Sequence, residues 1–272
     1  MRGERRKIVV VGAGSGIGAA VATHFHDGGD YVLAVDVREH KTPASDYLQC
    51  DLRDAASISA VLGEIGSGWD MLAHVAGVPG TAPAADVLKV NYLGARLMTE
   101  GMLPLLREGG SVVAVASTAA LGWDQRLEIL AGLLELTDAE AVERWQADQD
   151  PTYPVYSTSK QAVILYCKRL AGPAWTKYGV RINTVSPGPV ETPILSDFEQ
   201  TMGKEVLDMC RATVGRHATV DDIAPVIFVP RIAGGPLDQR AGHPGRRRLH
   251  QFDDRGTADP TLGHQPGRIA IL

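Results

Sequence analysis

Ile8-Val9-Val10-Val11-Gly12-Ala13-Gly14-Ser15-Gly16-Ile17-Gly18 is the stretch on which the fold turns. Four β-branched residues in a row read as a buried strand. Glycines follow at once, and a helical pattern then runs over residues 16–27. Glycine lets the chain turn tightly and lets its backbone come close to a pyrophosphate. The N-terminus of the helix offers free N–H groups and a positive dipole end to that anion. Gly12, Gly16, Ile17 and Gly18 are therefore candidate dinucleotide-binding positions. A glycine motif alone is a weak signal, and its place between strand and helix gives it weight.

The alternation continues outward. Residues 31–35, 71–75, 111–116 and 180–185 read as further strands. Their apolar character is continuous rather than alternating, which suggests a sheet covered on both faces. Helical patterns over 55–65, 86–106 and 157–178 fall among them. This order predicts an α/β fold: a Rossmann-type doubly wound parallel sheet in a single domain over residues 1–228. Right-handed crossovers then put the carboxyl end of every strand on one edge, where a ligand can bind.

Residues 121–153 break the rhythm. Leu127, Leu130, Leu133, Leu134 and Leu136 give an amphipathic helix, and Thr137-x-x-Glu140 reads as a capping box opening a second helix through Trp145. This helical insertion serves either packing and oligomer contact or, alternatively, as a lid over an apolar substrate. From residue 229 the composition changes again. Arg246-Arg247-Arg248 and four further arginines accompany many Gly, Pro and His, without a lysine or a helix or strand period. A disordered tail accounts for 229–272 better than a nucleic-acid patch, because apolar residues are scarce.

At 272 residues and a net charge of −5, the chain has no overall nucleic-acid footprint. Cys50, Cys167 and Cys210 are too few and too scattered for a disulfide framework or a zinc site, so no metal is expected. The basic N-terminus leads into an apolar run too short for a signal peptide, and no stretch approaches the ~20 residues of a membrane span. A soluble cytoplasmic protein is the expectation.

The chemistry-bearing residues cluster at the predicted strand exits. Asp36 closes the second strand, where a carboxylate accepts hydrogen bonds from an adenosine ribose diol and repels a 2′-phosphate. That favours NAD over NADP, with Arg38 as the one opposing feature. Asp51 and Leu52 follow a short apolar stretch and suit the adenine edge, while Ala76 and Gly77 at the end of 71–75 leave room for a cofactor. Asn91 sits inside a predicted helix it does not favour, which suggests a kink or a water-binding role. Ser117 directly follows an apolar strand. Pro187, Gly188, Val190 and Thr192 form a rigid exit loop whose backbone and hydroxyl suit a nicotinamide amide. Tyr156 and Lys160 lie four apart on one helix face, so the ammonium is expected to lower the phenol's pKa toward the working range.

Together, Gly12-x-x-x-Gly16-x-Gly18, Asp36, Asp51, Asn91, Ser117, Tyr156-x-x-x-Lys160 and Pro187-Gly188 resemble the short-chain dehydrogenase/reductase family, over residues 6–228. The segments 76–81, 91–94 and 188–195 are similar to coniferyl-alcohol dehydrogenases. Bacterial 3α-hydroxysteroid dehydrogenase/carbonyl reductases are also similar, and both groups carry a long insertion between Ser and Tyr. The resemblance implies Tyr156 as acid/base, Lys160 as its partner and a ribose ligand, Ser117 on the substrate oxygen and Asn91 holding a relay water. It implies an NAD-dependent oxidoreductase interconverting an alcohol and a carbonyl on a bulky apolar or aromatic substrate, an aryl-propenyl alcohol or a hydroxysteroid. A homo-oligomer is implied as well. A catalytically weak dinucleotide-binding sensor or scaffold is the alternative from another class.

Three departures from the family pattern stand out. Val11 replaces a threonine, and Val75 replaces the asparagine of N-A-G. Residues 229–272 also lack the family's ending, a segment like N-G-x-x-x-x-V-D-G-G. Yet codons can be chosen for residues 230–251 so that the frame one nucleotide later spells LGSRAAPWINGQDIPVDGGFIN. A frameshift near Phe228 and Val229 is the expectation, with a poorly packed tail and reduced activity as consequences.

Overall fold

The computed structural model describes residues 5–227. Its strands are β1 (Lys7–Val11), β2 (Tyr31–Asp36), β3 (Asp46–Gln49), β4 (Trp69–His74), β5 (Leu106–Val115) and β6 (Arg181–Val185). They form one parallel sheet in the order β3-β2-β1-β4-β5-β6. The strand order reverses between β1 and β4, which creates a crevice at their carboxyl ends. Alternate residues along each strand feed two cores. Val9, Val11, Leu33, Val35, Leu72 and Val112 share one, while Ile8, Val10, Val32, Ala34, Met71 and Val113 share the other. Burial on both faces is why these strands show no polar alternation.

Helices α1 (Gly16–Asp27) and α2 (Ala55–Ile65) have the expected bounds. Asp54 caps α2 by accepting the Ala56 N–H at 2.8 Å. The expected helix over 86–106 is instead α3 (Ala84–Leu88), a π-helical segment Lys89–Gly94 and α4 (Ala95–Met102), followed by a 3-10 turn. Leu106 belongs to β5, which begins earlier than residue 111. An edge strand, β3, emerges where the sequence showed only a short apolar stretch, because Asp46-Tyr47-Leu48-Gln49 buries no side chain fully.

The insertion supplies α5 (Leu127–Leu134) and α6 (Ala139–Ala147), which lead into α7 (Val155–Tyr178). Asp138, rather than Thr137, caps α6, accepting the Ala141 N–H at 2.8 Å. A carboxylate also suits the positive helix end better than a hydroxyl. Leu130, Leu133, Leu134 and Val142 enter a third core with Tyr92, Leu93, Val163 and Tyr166. The Arg96 guanidinium donates to the carbonyls of Leu134 and Leu136 at 2.7 and 2.9 Å, closing off the α5 terminus. Arg126 donates to Thr158 and Gln161 on α7 at 3.0 and 2.8 Å. The insertion is therefore a packed satellite core. None of its residues lines the crevice, so the lid reading is not supported.

Beyond β6 come α8 (Leu195–Met202), α9 (Lys204–Val214) and α10 (Val220–Ile227), the last packed against α1. No helix among the described residues is long and apolar enough to cross a membrane. None of their His, Cys, Asp or Glu side chains groups in threes that could hold a metal. The arginine-rich run and the expected poorly packed tail lie outside the described residues.

Candidate active site

A cleft of about 750 Å³ opens at the carboxyl ends of β1, β4 and β5. Its floor is the glycine turn. Gly12 has φ +88°, and a side chain there would come within 2.5 Å of the Ala76 backbone. A Cβ on Gly18 would stand 1.8 Å from the Gly12 carbonyl oxygen. Only bare backbone fits at either position. Ser15 holds the N-cap of α1 without a side-chain capping bond, which leaves the first-turn N–H groups for an anion. Gly16 and Ile17 line the same floor, and Thr192 stands over it, its methyl 3.3 Å from where a Gly16 side chain would begin.

Asp36 is fixed at the end of β2. Its carboxylate accepts from the backbone N–H groups of Gly14 at 2.8 Å and Arg38 at 3.3 Å. Asp51 and Leu52 line the cleft beyond it. Arg53 donates to the Asp51 carboxylate in a fork, at 2.7 and 3.0 Å, and the hydrogen-bonded guanidinium holds the Asp51 carboxyl below its ordinary range. Ala76, whose N–H bonds the Val11 carbonyl at 2.9 Å, and Gly77 form the wall beside β4. Pro187, Gly188, Val190 and Thr192 close the opposite wall. Thr118 N–H bonds the Pro187 carbonyl at 2.9 Å, which ties that wall to the end of β5.

Ser117, Tyr156 and Lys160 all line this cleft. The Ser117 hydroxyl caps a short 3-10 turn by accepting the Ala119 N–H at 3.1 Å, and it lies near enough to the Tyr156 phenol to bear on its pKa. Lys160 is buried, with its ammonium donating to the Val115 carbonyl at 2.9 Å. Asn91 lies in the π-helical segment, a deformation often found at functional sites. Its Oδ1 accepts from Val78 N–H at 2.7 Å, and its Nδ2 donates to the Val78 carbonyl and Ser159 hydroxyl at 3.0 and 3.1 Å. The helix is irregular at Asn91, in π-helical form. Its side chain pins the Val78 loop to α7, with one Oδ1 lone pair left over.

One electrostatic expectation is corrected. Burial pushes the Tyr156 phenol up to about 12, against a smaller lowering effect of the nearby Ser117 hydroxyl. Burial also brings Lys160 down to about 8. The ammonium sits 5.7 Å from the Tyr156 ring centre and donates its hydrogen bond to the Val115 carbonyl instead of the phenol. Desolvation therefore dominates at Tyr156, and the cation does not bring the phenol into the working range.

Several further residues stand beyond those the sequence singled out for a role. Phe198 on α8 places its ring 5.0 Å from that of Tyr156. Val78, Pro79 and Ile194 line the cleft as well. His74, directly before Val75-Ala76-Gly77, is buried with its Nε2 unpartnered. Burial, reinforced by the Lys160 charge, brings its pKa down to about 3 and keeps it neutral. Arg53 had a usable signal, two residues after Asp51.

Comparison with known proteins agrees with this geometry. A short chain dehydrogenase family model matches residues 6–125, and one described as Enoyl-(Acyl carrier protein) reductase matches residues 146–229. Coniferyl-alcohol dehydrogenase of Pseudomonas sp. strain HR199 is 34% identical over 224 residues, covering 82% of this chain and 88% of the relative. The 3-alpha-hydroxysteroid dehydrogenase/carbonyl reductase of Comamonas testosteroni is 31% identical, covering 81% and 87%. Among solved structures, the 3-alpha-hydroxysteroid dehydrogenase of Pseudomonas sp. B-0831 complexed with NADH aligns with a TM-score of 0.68 at 29% identity, covering 81% of this chain and 87% of that one.

Proposed function

Because this chain belongs to the short-chain dehydrogenase/reductase family and is an oxidoreductase acting on an alcohol or carbonyl, we propose that it uses NAD and takes a bulky apolar or aromatic substrate. The observation that carries the reading is one cleft lined both by the glycine turn, a backbone anion cradle, and by Ser117, Tyr156 and Lys160 together. Gly12, Gly16, Ile17 and Gly18 would hold the pyrophosphate and Asp36 the adenosine ribose, with Asp51 and Leu52 at the adenine. Ala76, Gly77, Pro187, Gly188, Val190 and Thr192 would hold the nicotinamide end. The dinucleotide supplies hydride acceptance or donation when bound. Asp36, facing the cleft as an anion acceptor of two N–H bonds, supports NAD over NADP by repulsion of a 2′-phosphate.

The chain's own residues supply position and proton handling. Ser117 orients the substrate oxygen, and Tyr156 gives or takes the proton at its phenol oxygen. Lys160 holds the cofactor ribose from a buried position. Asn91 fixes the cleft wall through Val78 and can accept a relay water on Oδ1. The first two relatives act, by name, on coniferyl alcohol and on 3α-hydroxysteroids, so aryl-propenyl alcohols and hydroxysteroids head the substrate list. A nicotinamide absorbance assay over both classes tests this. Turnover of either is expected. Tight NAD binding with no turnover of any would favour the sensor or scaffold reading. A homo-oligomer is part of the same proposal.

We also propose that residues 229–272 arise from a shifted reading frame. The family match stops at residue 229, where the composition changes. Among the described residues β6 is the outermost strand, and none of its residues is fully buried. A sheet edge of this kind invites another strand. The peptide spelled one nucleotide later over residues 230–251 supplies a short apolar segment and the N-G-x-x-x-x-V-D-G-G ending that the family resemblance implies. Resequencing the gene, and expressing the shifted form beside this chain, tests it. A higher melting temperature and higher turnover are expected for the shifted form. A confirmed unshifted gene whose product equals the shifted form in both would remove the idea.

A further inference from the structure

Helix α8 buries none of its side chains fully, yet it is fastened across the cleft. The Thr81 hydroxyl donates to the Asp197 carboxylate at 2.7 Å, joining positions 116 residues apart. Beside that bond, a Gly80 side chain would begin 3.5 Å from the Thr201 methyl and 3.4 Å from Tyr156 Cβ. The segments around 80 and 198 therefore meet over the candidate acid/base. Between them Phe198 presents its ring to Tyr156, centroids 5.0 Å apart and planes tilted by 60°. Pro79 and Ile194 line the cleft with Phe198, so a substrate whose oxygen reaches Ser117 and Tyr156 has this apolar wall available to its body.

Tilted ring pairs are favourable because the positive edge of one ring meets the negative face of another. A saturated body of equal size gains the apolar burial without that quadrupole contribution. We propose that Phe198 selects a flat aryl alcohol or aryl carbonyl over saturated substrates, and that the Thr81–Asp197 hydrogen bond is what positions its ring. This rests on the oxidoreductase reading above, and it separates the two substrate classes that reading leaves together.

The test uses full-length protein with NAD or NADH, and trans-cinnamyl alcohol beside its saturated analogue 3-cyclohexylpropanol. Turnover and calorimetric binding are measured for each. Phe198→Leu keeps an apolar side chain and removes the ring. It is expected to lower the aryl-to-saturated ratio of kcat/KM, and of affinity, by about two- to tenfold. Cofactor affinity should not change. Thr81→Val should shift the ratio in the same direction, and Thr81→Ser, which keeps the hydroxyl, should restore it. Equal losses on both alcohols, an unchanged ratio, or no binding of cinnamyl alcohol at all would overturn the proposal. Aryl-selective binding that Phe198→Leu removes, without turnover in any form, would uphold the proposal and defeat the oxidoreductase reading.

Discussion

Gly18 and Phe198 line the same cleft but hold their places by different means. The cofactor side is backbone: a glycine turn between a buried strand and a buried helix, where a Gly18 Cβ would lie 1.8 Å from a carbonyl oxygen. The substrate side is side chains on α8, a short helix with no fully buried residue, tied down through one exposed hydrogen bond. Lys160 stands at the junction, buried and cationic. The difference teaches that, under the proposed function, affinity for the shared cofactor is built into the fold, whereas substrate choice rests on a few replaceable contacts.

The strongest way to break this contrast is Gly18→Ala. The methyl cannot be accommodated without moving the turn, so cofactor affinity should fall about a hundredfold or more, with a lower melting temperature. Calorimetric titration with NAD and a thermal melt check it. Unchanged affinity would mean that the turn is not the cradle.

The junction gives the next largest effect. Burial lowers Lys160 from 10.5 to about 8, so at pH 7 its charged form costs the folded state on the order of 3 kcal/mol. The unfolded chain binds more protons between pH 8 and 10.5, so this cost shrinks as pH rises through that window. Lys160→Met should therefore abolish turnover while raising stability at pH 7 by up to ~3 kcal/mol, a gain that fades by pH 10.5. Denaturant melts at several pH values measure it.

In the proposed function, Asp36 is the side chain that sets cofactor choice within a backbone cradle. Asp36→Ala should lower the NAD-to-NADP ratio of kcat/KM by about tenfold, from one lost charged hydrogen bond and a removed repulsion. The smallest effect sharpens the contrast directly. Hydrogen exchange should be faster in α8 than in β1 and α1, with NAD slowing the glycine turn and an aryl alcohol slowing α8.

The legible half of the molecule is the half built from neighbours in sequence. Ile8 to Gly18 contains strand, turn and helix start in one stretch, and α1 and α2 end where their patterns end. Asp36, Ser117, Tyr156 and Lys160 follow from their places at strand exits and on one helix face, and all reach the cleft. The π-helical segment was hidden because Asn91 gains its bonds from Val78 and Ser159, thirteen and sixty-eight positions away. Phe198 was hidden for the same reason, since its partner is Tyr156 on another helix. The Tyr156–Lys160 spacing brought both groups to the cleft but misjudged the phenol's pKa, because desolvation depends on what surrounds a side chain rather than on what precedes it.

The central claim is that the Tyr156 phenol moves the proton in a cleft that binds NAD through its backbone. Tyr156→Phe removes one oxygen atom and little else. Wild type and variant should bind NAD with equal affinity by calorimetry, while turnover in the nicotinamide absorbance assay falls about 10²- to 10⁴-fold. Wild-type turnover by the variant, or loss of cofactor binding in step with activity, would contradict it.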